Sequence, residues 1–395
     1  MVNNDWQSFS LRNLGELKYG KSPKETVQTD SGHPIIGTSG IVGYSEKSLF
    51  NAPLIMVGRK GTIDKPLFIE QDCWIIDTAY GLLPDNTVAD VKWLYYFLSN
   101  YGLSKLNEAT GVPSLSRESL YNIEVPAPPL SEQRKIAAIL TSVDDAIAAT
   151  QRIIDQTDVV KRGLMQQLLT KGIGHTTFKQ TEIGEIPTEW DVKTIGDILV
   201  DCQYGLSESL STEPVGIPVL RMNNIQSGMV IVEDLKYLNV EESSIQNYIL
   251  NMDDVLFNRT NSQDLVGKTA IFKHDGKFTF ASYLIRVRGN KEMIDQNFLN
   301  YYMNSDAGQA RIRAYMSIGV SQSNINATNL KKVYLPLPPL KEQRAIVDTL
   351  SSVDAKIENE KNALSGLNSL KQALMQVLLT GKVRVNVDES SEVSV

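Results

Sequence analysis

Only two cysteines, Cys73 and Cys202, occur in 395 residues, too few for a disulfide framework or a four-ligand zinc site. The three histidines, His33, His175 and His274, show no metal-ligand spacing, and no nucleophile constellation can be built around them. No apolar run approaches the ~20 residues that cross a bilayer. The opening Met-Val-Asn-Asn-Asp-Trp lacks the basic and apolar regions of a signal peptide. A reducing, cytoplasmic setting without a membrane partner is the expectation. Basic charge is not in excess either: 39 basic against 46 acidic residues leave a net charge of −7. That counts against a simple DNA-coating protein, while leaving room for local basic surfaces. Also missing are an Asn/Asp-Pro-Pro-Tyr/Phe motif to hold a flipped base and a glycine-rich cofactor loop after a clear strand. What remains is an ordinary globular mixture, 42% hydrophobic and 22% charged, long enough for two or three domains.

The most informative feature present is an internal repeat. Residues 126–173 open Pro-Ala-Pro-Pro-Leu-Ser-Glu-Gln-Arg, and residues 336–383 open Pro-Leu-Pro-Pro-Leu-Lys-Glu-Gln-Arg, at a constant offset of 210. Without a gap, 20 of these 48 positions are identical, far more than chance supplies. Each repeat follows a more diverged segment, and those segments also correspond weakly. Trp6 matches Trp190, and Tyr19-Gly20-Lys21-Ser22 matches Tyr204-Gly205-Leu206-Ser207. Trp93-Leu94 and Tyr96 match Phe298-Leu299 and Tyr301, and Gly111-Val112 matches Gly319-Val320. The order is therefore variable domain (1–127), shared segment (128–173), linker (174–189), variable domain (190–337), shared segment (338–383) and flexible tail (384–395).

Both shared segments read as long helices. Prolines stop what precedes, Glu132-Gln133 and Glu342-Gln343 put acid in the first turn, and apolar residues recur at 4-3 spacing. The stripes are Ile136, Leu140, Val143, Ile147, Ile154, Leu164 and Leu168, then Ile346, Leu350, Val353, Ile357, Leu364, Leu367, Leu374 and Leu378. A narrow apolar stripe on a polar rod needs a partner, and each helix is the obvious partner of the other. At 1.5 Å per residue each rod is about 55 Å long. The short linker predicts that the second domain sits at the far end and the second helix runs back. The fold class expected is thus mixed α/β (α+β): two globular domains separated by two long antiparallel coiled-coil helices, with pseudo-two-fold symmetry. Strands are expected at Pro53–Val57, Cys73–Ile76, Val255–Phe257, Thr269–Phe272 and Phe278–Val287, and helices at Val91–Leu98 and Asn297–Met316.

Three catalytic signatures are met literally and set aside. Gly15 to Ser22 fits the phosphate-loop pattern G-x4-G-K-S, yet no good buried strand precedes it and Pro23 follows at once. Gly267-Lys268-Thr269 lacks the first glycine. Pro84-Asp85 with Asp90-Val91-Lys92 echoes a nuclease pattern at a separation too short to bring both carboxylates to one metal.

More promising are polar clusters suited to DNA. The first domain offers Lys21, Ser39, Tyr44, Arg59, Lys60, Thr62, Ser114, Ser116 and Arg117. The second offers Arg221, Asn223, Asn224, Asn258, Arg259, Asn261, Gln263, Lys268, Gln322, Ser323 and Asn324. Arginine can bond guanine bidentately, and Asn or Gln can do so with adenine. Lysine and arginine also hold phosphates and set register. Each residue alone is ordinary turn chemistry; two clusters in corresponding domains are not.

With Pro128–Arg134 and Pro338–Arg344, the helix ends Leu164-Met-Gln-Gln-Leu-Leu-Thr-Lys-Gly172 and Leu374-Met-Gln-Val-Leu-Leu-Thr-Gly-Lys382, and the two-copy order, the chain resembles specificity subunits of Type I restriction-modification systems. The resemblance implies a non-catalytic subunit whose two target recognition domains each read half of a bipartite, asymmetric double-stranded DNA site. The helices would act as a spacer and dock two methyltransferase subunits, with Glu132, Gln133, Arg134, Glu342, Gln343 and Arg344 as candidates. Motor/endonuclease subunits would join them. S-adenosylmethionine, ATP and Mg²⁺ would belong to those partners, and this chain would bind no cofactor or metal. Two rivals are a stand-alone DNA-binding or architectural protein, and an NTPase using Gly15 to Ser22.

Overall fold

The computed structural model describes residues 6–319 and 322–386. It divides into two compact units: unit one holds the residues up to Arg152 together with those from Lys361, and unit two is Ile153–Glu360. The helices used below are α1 (Val91–Tyr101), α2 (Leu130–Lys171), α3 (Gln296–Asn304) and α4 (Leu340–Leu378). Both long helices start where expected. Pro129 accepts from the N–H groups of Glu132 and Gln133, and Pro339 from those of Glu342 and Gln343, at 2.9–3.0 Å.

Unit one is built on an antiparallel sheet in the order Gly15–Tyr19, Ala79–Pro84, Leu54–Gly58, Leu67–Ile69. A second sheet is formed by Gln28–Thr29, Gly40–Ser45, His33–Gly37 and Trp74–Ile75, the last pair parallel. Gln7–Ser10 pairs with Glu124–Ala127 just before α2. The core joins Leu17, Val57, Tyr80 and Leu82 of the first sheet to Trp93, Leu94 and Leu98 of α1. It also takes in Ile136 and Leu140 from the start of α2 and Met375, Leu378 and Leu379 from the end of α4. Start against end makes the pairing antiparallel.

Unit two repeats this plan. Leu199–Tyr204, Leu284–Gly289, Val255–Asn258 and Thr269–Ile271 take the order of the first sheet and are extended by two short strands, Gly228–Val230 and Ile225–Gln226. Asp191–Thr194 pairs with Tyr334–Leu337 just before α4. Here Leu168 and Leu169, at the end of α2, share a core with Ile346 and Leu350, at the start of α4, and with Phe298, Leu299 and Tyr302. Ile136 and Ile346 therefore lie in different cores, as antiparallel helices require. Every residue of the two predicted stripes is buried or half-buried.

Three expectations change in detail. Asn297–Met316 is two helices, α3 and a second over Asp306–Arg313, because Ser305 turns the chain and caps the second through its hydroxyl, which accepts from Gly308 N–H. Phe278–Val287 splits into Thr279–Phe280 and Leu284–Gly289, which belong to different sheets. The stretch 174–189 is not a plain linker but contains a hairpin, Phe178–Thr181 against Gly184–Pro187. No helix among the described residues is long and apolar enough to cross a membrane.

Candidate nucleic-acid interface

In each unit the first strand of the main sheet ends in Tyr-Gly, and the glycine has a steric cause. A Cβ on Gly20 would lie 2.0 Å from the Ile76 carbonyl oxygen, and one on Gly205 would lie 2.3 Å from that of Phe280. Gly20 N–H donates to Ala79 O at 3.0 Å and Lys21 N–H to Ile75 O at 2.9 Å. Gly205 N–H donates to Leu284 O at 3.1 Å and Leu206 N–H to Phe280 O at 2.8 Å.

Beside each Tyr-Gly corner stands an arginine in one repeated set of bonds. Arg59 N–H donates to Thr78 O, its Nη1 to Asp77 O at 3.3 Å, and its carbonyl accepts from Leu115 N–H. Arg259 N–H donates to Tyr283 O, its Nη1 to Ser282 O at 3.3 Å, and its carbonyl accepts from Ile325 N–H. The guanidiniums lie over the rings of Tyr19 and Tyr204, at 5.2 and 4.8 Å. Sequence comparison aligned the two tyrosines but did not place them in the site. The signal was their recurrence as Tyr-Gly in otherwise diverged segments.

The first-domain candidates fall into two groups. Lys60 bridges to Ser114, Gly61 N–H bonds Pro113 O, and Arg117 also lies over the Tyr19 ring, at 5.2 Å. Ser116 caps the helix Arg117–Tyr121, accepting from Ser119 N–H at 3.0 Å. Arg59, Lys60, Ser114, Ser116 and Arg117 are thus held together, and Thr62 follows Gly61 along the chain. Lys21, next to the Tyr-Gly corner, is exposed, as are Ser39 and Tyr44 on the hairpin of the second sheet. Ile41 and Val42 of that hairpin are exposed too. Burial pushes Tyr80 up to about 12, with Tyr19 adding to it, so its hydroxyl stays a donor, here to Leu115 O at 3.1 Å.

In the second domain, Thr260–Asn261 pairs with Ser323–Asn324, which pairs with Ser317–Ile318. Asn258 N–H bonds Lys268 O. These ties gather Asn258, Arg259, Asn261, Lys268, Gln322, Ser323 and Asn324, with exposed Gln263 on the adjoining loop. Asn258 Oδ1, Arg259 Nε and Ser323 Oγ are buried there without a hydrogen-bond partner. Orphaned polar atoms mark a locus shaped for something besides stability. Asn258 and Ser323 themselves are buried, so neither presents a base-reading edge in this state. Arg221, Asn223 and Asn224 stand apart from the cluster. Arg221 Nη2 and Asn223 Nδ2 bond the Asp234 carboxylate at 3.0 and 3.1 Å. Asn224 is corrected to a structural role: it is buried, and its amide holds Ile231 O and Glu233 O.

The helix-start residues need a similar correction. Gln133 is buried; its Oε1 accepts from Asp90 N–H at 2.8 Å and its Nε2 donates to Val88 O and Pro128 O. Gln343 repeats this with Asp295 N–H, Met293 O and Pro338 O. Glu132 is clasped by Arg384 at 2.8 Å and Val385 N–H, so residues 384–385 are pinned, contrary to a tail flexible from 384; Val387–Val395 lie outside the described residues. Glu342 accepts from Ile173 N–H and Trp190 Nε1 and bonds His175 Nε2. These four side chains are bonded within the chain. Only Arg134 and Arg344 are exposed.

The set-aside motifs are accounted for by the same geometry. Gly15–Tyr19 is a sheet strand followed by a single 3-10 turn, Pro23–Glu25, so no helix N-terminus faces a phosphate. Asp90 caps α1, accepting from Trp93 N–H, and Asp85 bonds Thr87.

A family described as "Type I restriction modification DNA specificity domain" matches residues 3–157 and 187–369. The MjaVIII specificity subunit of Methanocaldococcus jannaschii is 28% identical over 97% of this chain and 94% of its own length. The EcoKI specificity subunit of Escherichia coli is 25% identical over 71% of this chain and 62% of its own length. Among solved structures, the crystal structure of the S subunit of a Type I restriction-modification system from M. genitalium matches with a TM-score of 0.63. It is 16% identical, and the match covers 98% of this chain and 99% of that one.

Proposed function

Starting from a chain that belongs to the Type I restriction-modification DNA specificity family, we propose that its two domains each read a different half of a bipartite duplex site. The role is DNA recognition, not catalysis. One observation carries the finer reading: the same Tyr-Gly and arginine frame is built twice, while the side chains around it differ. Lys60-Gly61 follows the arginine in one domain and Thr260-Asn261 in the other. A shared frame with different donors suits one docking mode on two base sequences.

The long helices supply the docking surface for two methyltransferase subunits, with motor/endonuclease subunits completing the complex. Val159, Val160 and Leu370 leave their apolar side chains exposed on those helices, outside the paired stripes, and Arg134 and Arg344 are exposed there as well. S-adenosylmethionine, ATP and Mg²⁺ then act on the partners. The test is methylome sequencing of cells expressing this chain with its matching methyltransferase, before and after one domain is exchanged for that of a relative. A bipartite adenine-methylated motif that changes in one half only is the expected result. No new methylation, or a change in both halves, refutes it.

A further inference from the structure

We propose that Arg59 and Arg259 grip the sugar–phosphate backbone, one phosphate in each half-site, and leave base reading to the side chains around them. This rests on the reading of the chain as a bipartite DNA reader and assigns the two arginines a sequence-independent task within it.

Three observations converge. First, the two arginines sit in equivalent bonds: main-chain N–H to a carbonyl, Nη1 to the carbonyl one residue earlier, carbonyl to a following N–H, ring beneath the guanidinium. Groups held alike in both domains cannot distinguish two different half-sites, so they suit what the half-sites share. Second, neither guanidinium has a carboxylate partner among the described residues, although both are half-buried. Arg286 and Arg288, by contrast, pair with Asp201 and Asp254 at 2.7 and 2.5 Å. A partly desolvated cation held only by carbonyls and a ring face is a ready anion site. Third, Nη1 is engaged by a carbonyl while the guanidinium lies over the tyrosine ring. That leaves the Nη2 N–H groups for a phosphate oxygen.

The test uses the full chain assembled with its methyltransferase partner. Binding is measured on the cognate duplex and on an unrelated duplex of equal length, from 50 to 200 mM salt, for wild type, Arg59→Gln, Arg259→Gln and the two Arg→Lys variants. Each Gln variant should weaken binding about tenfold on both duplexes and leave the specificity ratio unchanged. Each should also flatten the slope of log affinity against log salt by about 0.9. Lysine should restore most of that slope, because a phosphate accepts a point charge. Relaxed preference at one base position, with unrelated DNA unaffected, would make the arginine a base reader and overturn the proposal. Unchanged affinity on both duplexes overturns it as well, and so does a loss that tracks a lowered melting temperature and is not rescued by lysine. A wild-type complex that methylates no bipartite site would instead remove the underlying reading, and this proposal with it.

Discussion

Replacing Gln343 by alanine tests how the second variable domain is seated on its helix. The side chain is fully buried and satisfies three main-chain groups: Asp295 N–H at 2.8 Å, Met293 O at 2.9 Å and Pro338 O at 2.8 Å. Asp295 also caps α3, through bonds to Asn297 and Phe298 N–H, so the lost glutamine loosens the entry to that helix. A buried main-chain group left unpaired costs on the order of 1–3 kcal/mol. Local relaxation recovers part of that, which puts the loss at about 3 kcal/mol, just over a hundredfold in the folding equilibrium. Gln133→Ala removes the twin network, with bonds of 2.8, 3.0 and 2.9 Å, and should cost the same. Urea unfolding measures both, and hydrogen exchange at the Asp90 and Asp295 amides should accelerate in the matching variant alone. Arg344→Ala, at an exposed neighbour, should stay within about 0.5 kcal/mol of wild type. A penalty under about 1 kcal/mol for either glutamine, or clearly unequal penalties, would refute the idea that these bonds seat the domains.

The thiols give a second check. Burial pushes Cys73 up to about 12, with Asp72 adding to it, and raises Cys202 for the same main reason. A thiol whose folded pKa is raised keeps its stabilising contribution below the ordinary value of 9.0 and loses it as pH climbs toward about 12. Cys73 should therefore not react with an aromatic disulfide at pH 8 until the protein is unfolded; its rapid native labelling would contradict its burial. Gly20→Ala and Gly205→Ala should each destabilise by about 2 kcal/mol or more, since the added Cβ meets a main-chain oxygen, and should weaken DNA binding. A neutral outcome by thermal melting would show that the corner can shift. Asp201→Ala removes the carboxylate from Arg286, whose side chain is 3% exposed. The penalty should be about 2 kcal/mol, below that of a fully buried pair because Asp201 is 34% exposed. Wild-type stability by urea unfolding would count against it.

Period and repetition made the long helices legible. Strict 4-3 spacing without proline left no alternative to a paired rod, and the Pro-Pro-Leu start fixed where each begins. Strand positions such as Leu54–Gly58 and Val255–Asn258 were legible from short apolar runs. The break at Ser305 was not, because a serine inside a helical pattern is ordinary until its hydroxyl is seen to cap Gly308. Polar roles were hardest to read. Glu132, Gln133, Glu342 and Gln343 stand at polar positions of an amphipathic helix, and nothing local shows that a cap amide or a distant arginine will occupy them. The burial of Asn224 and Asn258 was illegible for the same reason: the groups their amide nitrogens bond are main-chain carbonyls, which carry no sequence signature.

The duplicated contacts explain how the two variable domains could diverge while the scaffold stayed constant. In unit one, Tyr96 of α1 donates to Asp144 at 2.7 Å, and Lys371 pairs with the same carboxylate at 2.6 Å. In unit two, Tyr301 of α3 donates to Asp354 at 2.6 Å, and Lys161 pairs with it at 2.5 Å. Each tyrosine thus fastens its domain to the helix pair at a point where the helices also fasten to each other. With the glutamine that receives the cap amide, this makes a socket whose polar requirements on the domain are few: one tyrosine hydroxyl, one cap N–H and one carbonyl, beside the apolar face of the same short helix. The polar loops around Arg59 and Arg259 contribute nothing to that socket. A foreign domain that carries the same tyrosine, cap and apolar helix face should therefore seat without repacking the rods, so a change confined to one half-site after such an exchange would report recognition rather than misfolding.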